Sequence, residues 1–218
     1  PFTAIHEALL DRDLDEARRL LSEWQGAGVN TETMSESEVI RLALERAIVG
    51  SHRHVFGVIF WFMVPIGPAG VVLYRLADLA SERWPSQASV SLGQAARTFF
   101  HSIDWLPTRL TAIGFAIVGN FEDAIYGWRF HLRKWGNELE AVILAAGAGA
   151  IGVRLGSPLP EPDSDEALRM AEAGEPPIID LGAEASVRSM RSAVGLVWRA
   201  VILWLVLIAL MTISVWLG

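Results

Sequence analysis

The stretch Asp104-Trp105-Leu106-Pro107-Thr108-Arg109-Leu110-Thr111, which runs into the apolar residues 112–119 (AIGFAIVG), decides how this chain is read. The carboxylate of Asp104 and the guanidinium of Arg109 lie at the start of an apolar run. This run is shorter than the roughly 20 residues needed to cross a bilayer. Pro107 suits the first turn of a helix, and Asp104 is an N-cap or lies just before one. In isolation the stretch predicts a capped core helix of a soluble domain, but the rest of the chain favours a membrane setting.

The composition indicates that apolar and charged residues are segregated. Of 218 residues, 52% are hydrophobic and 20% are charged, and cysteine is absent. The chain therefore has no disulfide and no thiolate ligand or nucleophile. The nine tryptophans lie mostly beside apolar runs, as in an interfacial aromatic belt. The formal net charge of −7 argues against nucleic acid as a partner and leaves the lipid bilayer as the expected one.

Two apolar runs are long enough to span a membrane. The run 55–73 carries no formal charge, but Pro65, Gly67, Pro68 and Gly70 predict a kink or a break within it. Residues 200–217 form the clearest spanning helix. Since arginines precede this helix and nothing charged follows it, the arginine end is predicted to be cytoplasmic.

Two further runs, 104–119 and 139–153, are too short to span and are predicted to form short re-entrant or half-membrane helices. Small residues in the second run allow close helix approach. Polar groups at such depth are costly unless they are paired or line a wet cavity. We expect Arg109 to pair with Asp104, either in a polar ligand pocket or in internal salt bridges that only fix packing. The candidate pocket residues are Asp104, Arg109, Thr111, Asn137, Glu138 and Arg154.

The remaining segments are predicted to lie outside the membrane core. Residues 1–50 should form amphipathic helices, one over 3–24 and a second that opens with a capping box at Ser35 and Glu38. Residues 156–187 form an acidic, Pro-rich loop with one short helix at 165–173, and residues 188–218 contain the C-terminal transmembrane helix. Because the sequence begins with Pro1, we expect a longer natural chain or processing. The overall prediction is an all-α, polytopic membrane protein.

The pair His52 and His54 precedes the first long apolar run. Residues two apart do not share a helical face, and no acidic residue is close in sequence. We therefore predict a basic anchor at the membrane interface, with Arg53 between the histidines, and no metal site.

Two motifs resemble a known superfamily of membrane proteins. Residues 104–110 match the pattern D-W-[ILV]-P-x-R-L, and residues 145–156 (AAGAGAIGVRLG) resemble the segment A-G-A-L-G-V-R-L-G. Both patterns are shared by the CobD/CbiB adenosylcobinamide-phosphate synthases and the AmpE signalling proteins. The resemblance covers most of the chain and implies a multi-pass protein of the bacterial inner membrane.

The choice of branch rests on residues that the synthases carry. Glu45 is similar to the first glutamate of their pattern E-S-x-A-E-N-x-x-D, but residues 46–54 lack its later acid, asparagine and aspartate. The synthases' lysine motif is also absent, since Lys134 is the only lysine. The resemblance thus implies an AmpE-like, non-catalytic sensor or accessory protein linked to β-lactamase induction and cell-wall recycling, without a cofactor.

Two alternatives stay open. The first is an adenosylcobinamide-phosphate synthase, an ATP- and Mg²⁺-dependent ligase of cobalamin biosynthesis that joins adenosylcobyric acid to an aminopropanol phosphate. The second is a structural subunit of a membrane complex, with a membrane protein or a second copy of the chain as partner.

Overall fold

A computed structural model of the chain describes residues 1–26, 31–64, 67–87, 90–134, 139–155 and 182–217, which are mainly helical. The helices are α1 (Phe2–Leu10), α2 (Leu14–Gln25), α3 (Glu36–Ser51), a π-helical turn (His52–Phe56), α4 (Gly57–Met63), α5 (Pro68–Gln87), α6 (Val90–Val118), α7 (Phe121–Lys134), α8 (Leu139–Ile151) and α9 (Val187–Leu217). Within the described residues, β pairing is limited to one isolated parallel bridge, between Val153 and Ala183. The all-α prediction is confirmed.

The first predicted helix is divided into two. Arg12 has a left-handed φ of 60° and separates α1 from α2. Asp13 then caps α2, because its side chain accepts a hydrogen bond of 2.9 Å from the backbone N–H of Glu16. The single helix predicted over 3–24 is therefore wrong. Its apolar periodicity was correct, but the turn at Arg12 and the cap at Asp13 interrupt the helix without removing its apolar face.

The capping box predicted at the start of α3 is confirmed, with Ser35 and Glu38 as reciprocal partners. The first three helices pack together and against the beginning of α9. Their shared core contains Ile5, Leu21, Leu44 and Met190, all fully buried. The N-terminal helices thus share a hydrophobic core with the start of the C-terminal helix.

The break predicted within 55–73 is present. Helix α4 ends at Met63, Gly67 has a left-handed φ of 57°, and α5 begins at Pro68. A Cβ at Gly70 would lie 2.6 Å from the carbonyl oxygen of Trp61, so glycine there allows α4 and α5 to approach closely. The two helices therefore form a tight antiparallel hairpin.

The short helix predicted over 104–119 is wrong. It is the C-terminal part of α6, a helix of 29 residues that continues through Pro107. Asp104 accordingly lies inside the helix and not at its N-cap. A proline favours the first turn of a helix because its ring restricts the backbone locally. Here packing against α5, α8 and α9 continues the helix on both sides of Pro107.

The second short apolar run forms α8, which packs against α6, α7, α3 and α9. Small residues permit this packing, as predicted. A Cβ at Gly149 would lie 2.4 Å from the backbone oxygen of Asp123 in α7, and one at Gly119 would lie 2.5 Å from the Cβ of Ala150. The helices around α8 are thus held at close backbone distance.

Among the described residues, one helix is long and apolar enough to cross a membrane, at Val187–Ser214. It leaves large apolar side chains exposed along its length, including Trp198, Ile202, Leu205, Leu210 and Trp216. The single spanning helix predicted over 55–73 is wrong, because the chain turns back between α4 and α5. The multi-pass arrangement and the orientation stay predictions. Most of the acidic loop, residues 156–181 with the short helix predicted at 165–173, lies outside the described residues.

Candidate functional site

A buried polar network joins the π-helical turn to α5 and α6. Asp104 of α6 is 2% exposed, and its Oδ1 accepts hydrogen bonds from the Tyr74 hydroxyl at 2.9 Å and from His52 Nε2 at 3.0 Å. His52 is only 1% exposed and comes from the first position of the π-helical turn. Three separate elements thus meet at one carboxylate.

Two threonines of α6 complete the network. The Thr108 hydroxyl donates to Asp104 Oδ2 at 3.2 Å, and Thr111 Oγ1 lies 2.9 Å from His52 Nδ1. The Thr111 hydroxyl also donates to the carbonyl oxygen of Pro107 at 2.9 Å. Both ring nitrogens of His52 are therefore engaged inside the protein, Nδ1 with Thr111 and Nε2 with Asp104.

The local backbone is built around this network. A Cβ at Gly57 would lie 2.4 Å from the Tyr74 hydroxyl oxygen, so only glycine leaves room for that hydroxyl to reach Asp104. The π-helical turn that precedes Gly57 is a rare conformation, found frequently at functional sites. Tyr74 also packs against Phe100 with ring centroids 5.6 Å apart, which fixes α5 against α6.

Arg53 connects the same turn to α5 and α8. Its guanidinium bonds to Glu82 and Glu140 and lies 3.4 Å from Asp78 Oδ1, and Asp78 is also paired with Arg75 at 2.8 Å. Asp78 is 3% exposed, and burial raises the pKa of its carboxyl group despite these arginines. Arg53 therefore holds three carboxylates of two helices beside the buried network.

The network lies at the floor of an open cleft of about 1310 Å³, to which His52 and Asp104 both contribute. This volume exceeds that of an ordinary drug-sized pocket. The charged lining residues beyond the floor are Glu45, Arg46, Arg53, Glu82, Arg97 and Glu140. Aromatic and aliphatic side chains of the N-terminal helices and α9 form the other wall: Phe2, Trp24, Leu42, Val197 and Trp198. The cleft can accommodate a large ligand with both apolar and charged parts.

The structure brings together only some of the residues predicted as a pocket. Asp104 and Thr111 belong to the buried network. The predicted pair of Arg109 with Asp104 is wrong, because Arg109 packs over the Trp105 ring at 3.9 Å and donates to its backbone oxygen at 3.0 Å. Residues five apart in an α-helix do not share a face, so Asp104 and Arg109 point away from each other although they are close in sequence.

The other predicted pocket residues lie elsewhere. Arg154 follows α8 and its Nε donates to the backbone oxygen of Gly182 at 3.2 Å, beside the isolated β-bridge and not in the cleft. Asn137 and Glu138 lie outside the described residues. Ligand binding at any of these positions stays a prediction.

The role of His52 in the buried network does not follow from the sequence pattern. An interfacial anchor was predicted, but the side chain is buried and hydrogen-bonded through both ring nitrogens. Tyr74 and Gly57 were missed as well, since their importance depends on a contact between α4 and α5 that no local pattern shows. Within the described part of the chain, no three acidic or histidine side chains are placed to hold a metal ion.

Comparisons with known proteins agree on one family. The family model described as CobD/Cbib protein matches residues 2–176. The chain is 31% identical over 206 residues to the cobalamin biosynthesis protein CobD of Stutzerimonas stutzeri, covering 94% of this chain and 64% of that protein. It is also 31% identical over 202 residues to the protein of the same name from Chromobacterium violaceum, covering 92% of this chain and 61% of that protein. No solved structure matches significantly.

These matches correct one interpretation and support another. The resemblance to the superfamily is confirmed, but the AmpE-like reading, with its role in signalling and β-lactamase induction, is wrong. Both relatives are named for cobalamin biosynthesis. The missing acids and lysine do not distinguish the two branches, because proteins that are 31% identical can differ at such positions within one family. The chain spans less than two thirds of the length of these two relatives.

Proposed function

Because this chain belongs to the CobD/CbiB protein family, we propose that it is an enzyme of cobalamin biosynthesis that forms the amide between adenosylcobyric acid and an aminopropanol phosphate. The observation that carries the proposal is the similarity to two CobD proteins over more than nine tenths of the chain. The activity of the whole protein is proposed here for a chain that covers only part of those relatives.

The cleft fits the substrates of such a reaction. A corrinoid is a large ring system with apolar faces and polar side chains, and the cleft of about 1310 Å³ combines a wall containing Trp24 and Trp198 with charged groups on α5, α6 and α8. Flat aromatic side chains can pack on the ring, while the charged wall meets the carboxyl, amine and phosphate groups. The reacting groups would then lie near the buried His52–Asp104 pair.

In the proposed reaction, ATP binds as a substrate together with Mg²⁺ and activates the carboxyl group of adenosylcobyric acid. A nucleotide-bound Mg²⁺ keeps several waters and needs only one or two protein carboxylates. Glu45, Glu82 and Glu140 line the cleft, and the last two are more than half exposed although they bond to Arg53. These carboxylates therefore suit a Mg²⁺ ion that enters bound to the nucleotide phosphates better than they suit a metal site made only of protein ligands.

The buried network would position other residues and would not itself contact the substrate. His52 and Asp104 have all their polar atoms engaged, so they hold the π-helical turn in place and direct Arg53 and its carboxylates toward the cleft. The sequence differs from the synthase pattern in residues 46–54, so the charged groups of α5, α6 and α8 are the candidates for substrate contact.

The test is an assay of the purified full chain in detergent with ATP, Mg²⁺, adenosylcobyric acid and aminopropanol phosphate, with the amide product detected by mass spectrometry. ATP-dependent product supports the proposal. The matched control is the S. stutzeri relative, both complete and cut to the segment that aligns with this chain. Product from the cut relative but none from this chain, when both are folded, would refute the proposed activity.

A further inference from the structure

A polar stripe runs along the face of α6 that lines the cleft. Arg97 and His101 lie seven and three residues before Asp104, and this spacing puts all three on one helical face. All three line the cleft. Arg97 is exposed, His101 is half-buried and Asp104 is buried, so the stripe leads from the surface to the floor.

The other charged residues that line the cleft have partners, and Arg46 lies over the Trp24 ring at 5.7 Å. Arg53 bonds to Glu82 and Glu140, and Arg41 bonds to Glu45 at 2.9 Å. In the part of the chain that the structure describes, no carboxylate pairs with Arg97 or His101. The α6 wall therefore presents hydrogen-bond donors and a positive charge that no carboxylate of the described residues neutralises.

Phe100 anchors the part of α6 that carries Arg97 and His101. Its ring packs against Tyr74 and lies 5.6 Å from the guanidinium carbon of Arg53. Phe100 is buried and lies between Arg97 and His101 in the sequence, so its packing sets which face of α6 is turned toward the cleft. Both Arg97 and His101 line the cleft on that helix.

We propose that Arg97 and His101 form a binding site for a phosphoryl group on the α6 wall of the cleft. A guanidinium offers paired N–H donors that match phosphate oxygens, and one turn of helix places the imidazole N–H beside them. Which phosphoryl group is bound rests on the proposed function, under which it belongs to the amino alcohol or the nucleotide. An anionic lipid headgroup has the same chemistry.

The test uses the full chain in phosphatidylcholine nanodiscs and measures the binding of pyrophosphate by calorimetry. Losing one charge-assisted contact corresponds to about tenfold weaker binding, which we expect for R97Q, and H101Q should also weaken it. The matched control is R129Q, since Arg129 is an exposed arginine of the adjacent helix α7 that does not line the cleft. Circular dichroism verifies that each variant is folded.

A second arm separates the two sources of phosphate. If a lipid headgroup occupies the site, nanodiscs containing phosphatidylglycerol will reduce pyrophosphate binding by the wild type, and R97Q will remove that effect. If only soluble phosphates bind, the lipid composition will not matter and R97Q will still weaken binding. Wild-type affinity in R97Q, an equal loss in R129Q, or no binding by the wild type in either nanodisc would overturn the proposal.

The site and the function fail in different ways. Arg97-dependent pyrophosphate binding without any amide product would leave the site and remove the synthase activity. Amide product from R97Q with an unchanged KM for the aminopropanol phosphate and for ATP, together with wild-type affinity for pyrophosphate, would leave the activity and remove the site.

Discussion

The buried pair of His52 and Asp104 allows a quantitative test of the structure. We consider H52A, D104A and the double variant. The two side chains are 1% and 2% exposed, and the atoms that join them are 3.0 Å apart. A buried polar group that loses its hydrogen-bond partner costs about 1–3 kcal/mol, and more where the group is charged. Removing either side chain leaves the other buried without this hydrogen bond.

Each single substitution should therefore lower the free energy of unfolding by about 1–3 kcal/mol. D104A also removes the acceptor of the Tyr74 and Thr108 hydroxyl groups, so it should be the more damaging of the two. The double variant leaves neither of these two side chains buried without the other. We expect it to be more stable than the sum of the single changes by about 1–3 kcal/mol, the range found for side chains in direct contact.

The assay is unfolding in mixed detergent micelles, followed by the fluorescence of the nine tryptophans. D104N is the shape-matched control, since it removes the charge and keeps a side-chain oxygen. Losses below about 1 kcal/mol in both single variants are typical of an exposed ion pair and would contradict the buried arrangement. Strictly additive effects in the double variant would contradict the direct contact.

Three further predictions concern packing, acid stability and the membrane. G149A should destabilise the protein by about 1–3 kcal/mol, because its Cβ would meet the backbone oxygen of Asp123 at 2.4 Å. G195A, where no atom lies within 4 Å, should stabilise helix α9 by about 0.5–1 kcal/mol. Melting temperatures in detergent test both, and equal shifts would contradict the close packing. The hydrogen bond from the Ser35 backbone N–H lowers the pKa of Glu38, so its stabilisation of about 0.5 kcal/mol is present above pH 4.5 and is lost as the pH falls below it. E38Q keeps that bond and should flatten this part of the pH dependence, and an unchanged acid slope would argue against it. Because α9 exposes a long apolar surface, the chain should stay with membranes in alkaline carbonate and be released by detergent; release by carbonate alone would contradict a spanning α9.

Local signals in the sequence predicted several elements correctly. The capping box at Ser35, the break before Pro68 and the tightly packed helix α8 each follow from residues close together in the chain. These features depend on backbone geometry and side-chain size, which a short segment determines by itself. Asp104 was also recognised as a central residue.

The other features depend on contacts between distant segments. Pro107 predicted a helix start, but the packing of α6 against its neighbours continues the helix through that position. His52 was assigned to the interface because it is polar and precedes an apolar run. Its burial is stabilised by Asp104 and Thr111, which lie 52 and 59 residues away, and no periodicity in the sequence indicates that pairing.

The π-helical turn at His52–Phe56 also affects how relatives of this chain should be aligned. An α-helix rotates by about 100° for each residue, so a π-helical turn is equivalent to a one-residue insertion accommodated inside a helix. A relative that lacks this extra residue would have α3 rotated by about 100° about the shared axis relative to α4, or would need a different path between them. A one-residue gap in an alignment here therefore marks a change in which face of the N-terminal helices meets the cleft.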